Sequence, residues 1–293
     1  MRSLDFAAVS HRGVVRPVNE DSILAVPPVF CVADGIGGSD SGELASSIVA
    51  GEFNLLAESA GRQAIDSEAV SDTLQRAHEQ VSELSRTLPN GAASTAAGCI
   101  ALEVDGRAYW LVFNVGDSRV YRCFGAPGHR KIRQVSVDHS LVQEMIDSGT
   151  VSKGDSFRHP EKNMVTRAVG ADDGCEPDFW MLPMVRGERL MICSDGLLGD
   201  SPSEEVRRLV KADLSPRQVV DDLLELALRS GARDNVSVIV IDVPEVDGSD
   251  QGLEPLGGFG SDEPTRVALD RREPSATTSK ARATNRKNRK RGM

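Results

Sequence analysis

Two apolar runs, residues 95–104 and 108–115, are separated by little more than Asp105-Gly106. An Asp-Gly pair between strand-like runs reads as a tight hairpin turn. A hairpin makes its two strands antiparallel, whereas parallel neighbours need a long crossover. Further runs read as strands at 4–10, 22–33, 119–124, 189–193 and 236–243, and helical spacing appears at 42–58, 65–87, 138–148, 202–211 and 216–230. Ser201-Pro202-Ser203-Glu204 offers a capping box with proline in the first turn. Ser215-Pro216 offers a second start, with Gly149 and Gly231 as stops. Val219, Val220, Leu223, Leu224, Leu226 and Leu228 give helix 216–230 a broad apolar face suited to a sheet. Hairpins with helices at intervals favour an α+β fold over a doubly wound parallel one.

The body of the chain is acidic. Residues 244–293 hold ten Lys/Arg and eight Asp/Glu, so residues 1–243 hold 24 and 36, a net charge of −12. That balance disfavours non-specific nucleic-acid binding. No apolar run approaches the ~18 residues of a membrane helix, and the first residues lack the apolar stretch of a signal peptide, so the chain reads as cytoplasmic. Cys31, Cys99, Cys123, Cys175 and Cys193 have no CxxC spacing and mostly sit in apolar runs, which reads as buried thiols. After Pro244 the composition turns to Gly, Asp, Glu and Pro, and seven positive charges lie between Lys280 and Arg291. Such a segment cannot bury enough apolar surface to order itself. The expected organisation is a catalytic domain over 1–243 and a disordered tail over 244–293. The tail is a solvated extension or, alternatively, a docking arm for an acidic partner.

Four aspartates stand in short phrases, the first three marked by glycine: Asp34-Gly35-Ile36-Gly37-Gly38, Gly116-Asp117-Ser118-Arg119, Ser194-Asp195-Gly196 and Asp234-Asn235. Three of them follow apolar runs, so strand ends can deliver them to one place. Converging carboxylates repel one another unless protons or cations lie between them. Hard cations such as Mg²⁺ and Mn²⁺ prefer oxygen ligands, and Gly35 lets its own carbonyl approach as a ligand. Two such ions can acidify a shared water for attack on phosphorus. Arg16, four residues before Glu20 and with Asp21 close behind, offers the planar fork that grips phosphate.

Arg16-x-x-Asn19-Glu20-Asp21, Asp34-Gly-Ile-Gly-Gly, Ala93-Ser94-Thr95-Ala96, Gly116-Asp117-Ser118-Arg119, Asp138-His139-Ser140, Ser194-Asp195-Gly196 and Asp234-Asn235 occur in order. Together they resemble the protein phosphatase 2C (PPM) family of metal-dependent Ser/Thr phosphatases, with the bacterial branch closest. The resemblance spans residues 3–243. It implies a four-layer α/β/β/α sandwich with two central antiparallel sheets. The implied activity is hydrolysis of phosphoserine and phosphothreonine on proteins by a metal-activated water, opposing a bacterial eukaryotic-like Ser/Thr kinase. The cofactors would be two Mn²⁺ or Mg²⁺ ions, with a third described for bacterial members. By resemblance, Asp34 bridges both metals, the Gly35 carbonyl binds one, and Asp195 and Asp234 complete the other shell. Glu20 or Asp21 supports the second metal, through waters or directly, and Asp117 with Asp195 holds the third. Arg16 binds the substrate phosphate and Asn235 orients Asp234 or a bound water. Residues 141–165 resemble a mobile flap beside the active site. The partners would be phosphorylated proteins, with no specific nucleic acid and no transmembrane segment, and the protein would be a monomer.

Two departures stand out. Animal members carry a proposed general-acid histidine where this chain has Ile36, which leaves a metal-bound water or another group as the proton donor, with His11, His139 and His159 as candidates. Ala93 replaces a glycine common in the family, an expected structural effect; Ser94 and Thr95 are expected as buried strand residues near the site. Three readings compete, one of them a basic-tail adaptor whose folded domain serves only as a scaffold. The sporulation and stress-response phosphatases generally lack the Arg-x-x-Asn-Glu-Asp phrase, and a phosphoprotein-binding pseudophosphatase would have lost metal aspartates that are all present here.

Overall fold

The computed structural model describes residues 4–37, 40–62, 64–126, 128–152, 154–155, 159–161, 164–171, 174–244 and 265–267. Two antiparallel sheets form its centre. The first runs in the order β1-β11-β10-β7-β8, where β1 is Asp5–His11, β7 Arg119–Phe124, β8 Lys131–Gln134, β10 Arg189–Cys193 and β11 Val236–Asp242. The second runs β12-β9-β6-β5-β3-β2, with β4 (Ala93–Ser94) paired to β3. Its strands are β2 (Asp21–Val26), β3 (Val29–Ile36), β5 (Ala96–Val104), β6 (Arg107–Val115), β9 (Asp178–Pro183) and β12 (Thr265–Val267).

Side chains alternate across a strand, and that alternation divides each apolar run between two cores. On β3, Phe30 and Val32 enter the layer between the sheets, while Val29, Cys31 and Ala33 face the helices α1 (Asp40–Ser59) and α2 (Ser67–Thr87). On β10, Leu190 and Ile192 face the inter-sheet layer. Met191 and Cys193 face the opposite helical layer, α4 (Gly196–Asp200), α5 (Ser203–Lys211) and α6 (Pro216–Arg229). Strands covered on both faces explain the continuous apolar runs, and the layering is the α/β/β/α sandwich expected. Asp105 and Gly106 both take positive φ, 50° and 74°, in the hairpin joining β5 to β6.

The structure corrects several element boundaries. The run 22–33 is two strands, split at Pro27-Pro28, since proline cannot donate to the ladder. The helix expected from 138 begins at Leu141 as α3 (Leu141–Asp147), with Ser140 as its cap. Asp138 is held instead by Arg119, whose Nε and Nη2 donate to it at 2.9 and 2.6 Å. The capping box at Ser201–Glu204 does not form; Pro202 caps α5 without a side-chain bond. The reciprocal box forms at α6, between Ser215 and Gln218. Strands β4, β8, β9 and β12 and helix α4 lay outside the expected set. Within the segment expected as a tail, Thr265–Val267 pairs with β9, and the rest of 245–293 lies outside the described residues. All five cysteines are free and buried; burial pushes the thiol of Cys193 up to about 12 and that of Cys175 to about 11.

Candidate metal centre

The site lies at one end of both sheets. Asp34 is near the end of β3, and Asp21, the first residue of β2, is its direct register partner. Asp117 follows β6, Asp195 follows β10, and Asp234 precedes β11. Antiparallel order makes this possible, because the exits of β3, β6 and β10 and the entries of β2 and β11 share one edge of the sandwich. Asp34, Gly35, Asp117, Asp195, Asp234, Glu20 and Arg16 all line one cavity of about 460 Å³. Asp21 is the exception among the expected ligands. It is buried behind Asp34 and is not part of the cavity wall.

Backbone economy brings the pieces together. A Cβ on Gly35 would collide with the carbonyls of Gly42 and Glu20, and one on Gly196 would collide with the carbonyl of Asn235. Each glycine therefore permits a contact between chain segments that no larger residue allows. Asp34 is held through its backbone: its N–H donates to Thr95 Oγ1 at 2.9 Å, and its carbonyl accepts from the Thr95 N–H at 2.8 Å. Thr95 Oγ1 lies 2.8 Å from Ser118 Oγ, tying β5 to the loop that carries Asp117. Ser94 and Thr95 are buried beside the site as expected, although only Ser94 lies in a strand, Thr95 falling between β4 and β5. Ser194 Oγ donates to Asp21 Oδ2 at 2.8 Å and accepts from the Ser237 N–H at 3.0 Å.

Asn235 works differently from its expected role. Its Oδ1 accepts from the Glu20 N–H at 2.8 Å, and its Nδ2 donates to the carbonyls of Arg12 and Val18 at 2.9 and 3.0 Å. The side chain clamps the 12–20 loop, so its amide does not reach Asp234. Only its backbone N–H does, donating to Asp234 Oδ1 at 2.9 Å.

The electrostatics are lopsided. Desolvation, then repulsion from neighbours that include Asp195 and Asp234, pushes the Asp21 carboxyl up to about 7 despite bonds from serine hydroxyls. Desolvation and repulsion from Asp195 and Asp138 push Asp117 to about 7 as well. Asp34 rises well above the carboxylate range, from burial and then from Asp21, Asp195, Asp117 and Asp234. Asp195 rises through burial and Asp234. Burial also raises Glu20, against Arg16. Two buried oxygens, Glu20 Oε1 and Asp21 Oδ1, accept no hydrogen bond. Arg16 is the nearest counter-charge, with Nη2 2.8 Å from Asp234 Oδ2 and Nη1 3.8 Å from Glu20 Oε2.

Such a set fits hard divalent cations. The donors are all oxygen, they repel, and two remain unsatisfied. Among the described residues, no three His, Cys, Asp or Glu side chains form a ready-made shell. Completing a coordination sphere therefore calls on the Gly35 carbonyl and on water, as Mg²⁺ in particular prefers.

The candidate histidines stand apart. His139 is buried, with Nδ1 accepting from the Gly116 N–H at 3.2 Å and Nε2 3.3 Å from Asp178 Oδ2. His11 Nδ1 accepts from the Gly13 N–H, and His159 Nδ1 from the Glu161 N–H. None of the three lines the cavity. Arg167 does, and the sequence reading missed it. Its Nη1 lies 3.3 Å from His139 Nε2 and 3.6 Å from Asp178 Oδ1. An arginine two residues after an unremarkable Val165 carries no signal until the fold brings it beside the aspartates. Residues 141–165, expected as a flap, comprise α3 and segments that lie partly outside the described residues.

No protein-family model matches the chain. A Ser/Thr phosphatase, stp, of Listeria monocytogenes is 30% identical over 245 residues, covering 79% of this chain and 92% of that protein. The Ser/Thr protein phosphatase PstP of Mycobacterium tuberculosis is 32% identical over 246 residues, covering 83% of this chain and 46% of that protein. The solved PPM Ser-Thr phosphatase MsPP of Mycobacterium smegmatis, in complex with cacodylate, superposes with a TM-score of 0.72 at 29% identity, over 81% of this chain and 97% of that one.

Proposed function

The chain belongs to the bacterial PPM Ser/Thr phosphatases, and from that premise we propose how its own residues divide the hydrolysis of phosphoserine and phosphothreonine on proteins. The protein is a phosphoprotein phosphatase dependent on Mn²⁺ or Mg²⁺. A PstP catalytic domain of 27% identity and TM-score 0.72 was solved with two manganese ions. Here the holders would be Asp34, the Gly35 carbonyl, Asp195 and Asp234, with Glu20 and Asp21 in support and Asp117 beside Asp195 for a further ion. When bound, the cations supply charge neutralisation at the phosphoryl group and an acidified water.

The remaining work falls to the chain. Arg16 grips the phosphate by its fork; its present contacts with Asp234 and Glu20 keep the guanidinium at the cavity. Arg167 approaches from the 165–168 segment and adds a second positive group. Thr95, Ser118 and Ser194 hold the aspartates so that they need not reorganise during reaction, which is where electrostatic catalysis gains most. Asn235 keeps the 12–20 loop, and so Arg16 and Glu20, in register with β11. With Ile36 at the position of the animal histidine and no imidazole on the described wall, the leaving oxygen takes its proton from water or a carboxylic acid.

The single observation that carries this reading is the convergence of carboxylates from both sheets on one cavity rimmed by two arginines. The substrates are phosphorylated proteins, and the opposing partner is a Ser/Thr kinase. We further infer that the working form is a monomer in the cytoplasm. Among the described residues, no helix is long and apolar enough to cross a membrane. The test is hydrolysis of a phosphothreonine peptide and an aryl phosphate with Mn²⁺ and with EDTA. Turnover that stops in EDTA and returns with Mn²⁺ is expected. Undiminished turnover in EDTA would remove the metal mechanism, and binding without turnover would favour the pseudophosphatase.

A further inference from the structure

A second, shallower cavity of about 230 Å³ opens beside the first. The two share Ile36, Gly37, Ala93 and Ala171. Beyond that shared wall, the second cavity is bounded by Ser85 in the last turn of α2, by Asn90–Ala92 of the loop that follows, and by Gly170. Its character is opposite to the first: among the described residues, no charged side chain lines it. Ile36, 37% exposed, is the large apolar side chain on the partition between the two.

The groove is built rather than incidental. Gly37 takes φ 148°, and a Cβ there would stand 2.9 Å from the Gly91 carbonyl oxygen and 3.2 Å from Ser41 Cβ. The loop wall is pinned, since Ser85 Oγ accepts the Ala92 N–H at 3.0 Å and the Leu88 carbonyl accepts the Gly91 N–H at 3.2 Å. The opposite wall is fixed by paired bonds between Ser94 and Val169 at 2.9 and 2.8 Å.

We propose that this groove is a substrate subsite that takes an uncharged, apolar side chain flanking the phosphorylated residue, and that Ile36 is its specificity-determining contact. The inference rests on the phosphatase reading above. A phosphoprotein whose phosphate reaches Arg16 and the carboxylates must route its backbone over the rim of the first cavity. One side of that rim carries Arg16, Glu20 and Asp234; on the other side the apolar Ile36 leads directly into a space whose described lining is uncharged. Charged flanking residues would there lose hydration without gaining a partner, whereas an apolar one buries surface.

The experiment compares phosphothreonine peptides that carry valine, leucine, aspartate or lysine at each flanking position, with aryl phosphate as a substrate too small to reach the groove. In the unaltered protein, apolar residues at one flank should raise kcat/KM by about five- to tenfold over charged ones, mostly through KM. Ile36→Ala should shrink that ratio toward one. Asn90→Asp, on the exposed rim, should shift preference at the same flank toward lysine. Ratios are read within each variant, so a loss common to all substrates cancels. A flat flanking profile, or variants that leave the ratios untouched, would overturn the subsite. Failure of the unaltered protein to hydrolyse aryl phosphate with Mn²⁺ would instead overturn the phosphatase reading.

Discussion

The two ends of the same sheets treat buried charge in opposite ways. At the end away from the cavity, Glu188 is buried and fully engaged: Oε2 accepts from Arg122 Nε at 2.6 Å, and Oε1 accepts from Trp110 Nε1 and the Val185 N–H at 2.9 and 2.8 Å. Arg189, at the start of β10, donates to both oxygens of Asp242 at 2.6 and 2.7 Å and to the carbonyls of Val210, Ala212 and Leu214. Six residues along the strand direction, Asp195 joins carboxylates that outnumber the nearby arginines and leave buried oxygens of Glu20 and Asp21 bare. Charge that is matched holds a fold together, and charge left in surplus marks where something cationic binds.

The largest effect expected from this contrast is on activity. Asp34→Asn or Asp195→Asn should lower Mn²⁺-dependent kcat by at least about 10²–10³-fold, with far-ultraviolet circular dichroism unchanged. At the matched end the pattern reverses. Glu188→Ala leaves the buried Arg122 uncompensated and should cost about 3–5 kcal/mol in urea unfolding, while turnover per folded molecule stays close to normal. Equal losses of activity from both ends would break the comparison.

Next comes Asp21→Asn. It relieves repulsion without touching the cavity wall, so in EDTA it should stabilise the protein by roughly 1–3 kcal/mol while lowering activity. Destabilisation would mean that the bond from Ser194 outweighs the repulsion.

The smallest effect is the pH dependence of the cation-free protein. Asp21 and Asp117 titrate near 7 in the fold, against an ordinary value of 3.8. The folded state holds their protons more tightly than the unfolded chain does, so its stability from this source is complete below about 4. Stability then falls as pH rises toward 7 and levels off above. Urea unfolding in EDTA between pH 4 and 8 measures this. A rise of stability with pH across that window would contradict it.

How much was legible beforehand follows from where each signal resides. Asp-Gly at 105–106 announced its hairpin because the turn needs positive φ, and the strand-end aspartates announced the site because glycines mark them. Arg167 and the clamp made by Asn235 were not legible. Their meaning lies in contacts with residues distant in the chain, such as His139, 28 positions from Arg167, and Arg12, 223 positions from Asn235. The break at Pro27-Pro28 was readable and overlooked, since an uninterrupted apolar run outweighed the missing donors. The capping box at Ser201 failed for a different reason: the right residue types were present, but the helix begins one residue later.

The most direct test of the surplus-charge account is thermal unfolding during Mn²⁺ titration at pH 7.5, for the unaltered protein and for Asp34→Asn. Ligands that bind only the folded state raise the melting temperature with concentration. The account predicts a rise of several degrees in the unaltered protein and little or none in Asp34→Asn, which should start higher in EDTA. The same rise in both would contradict it.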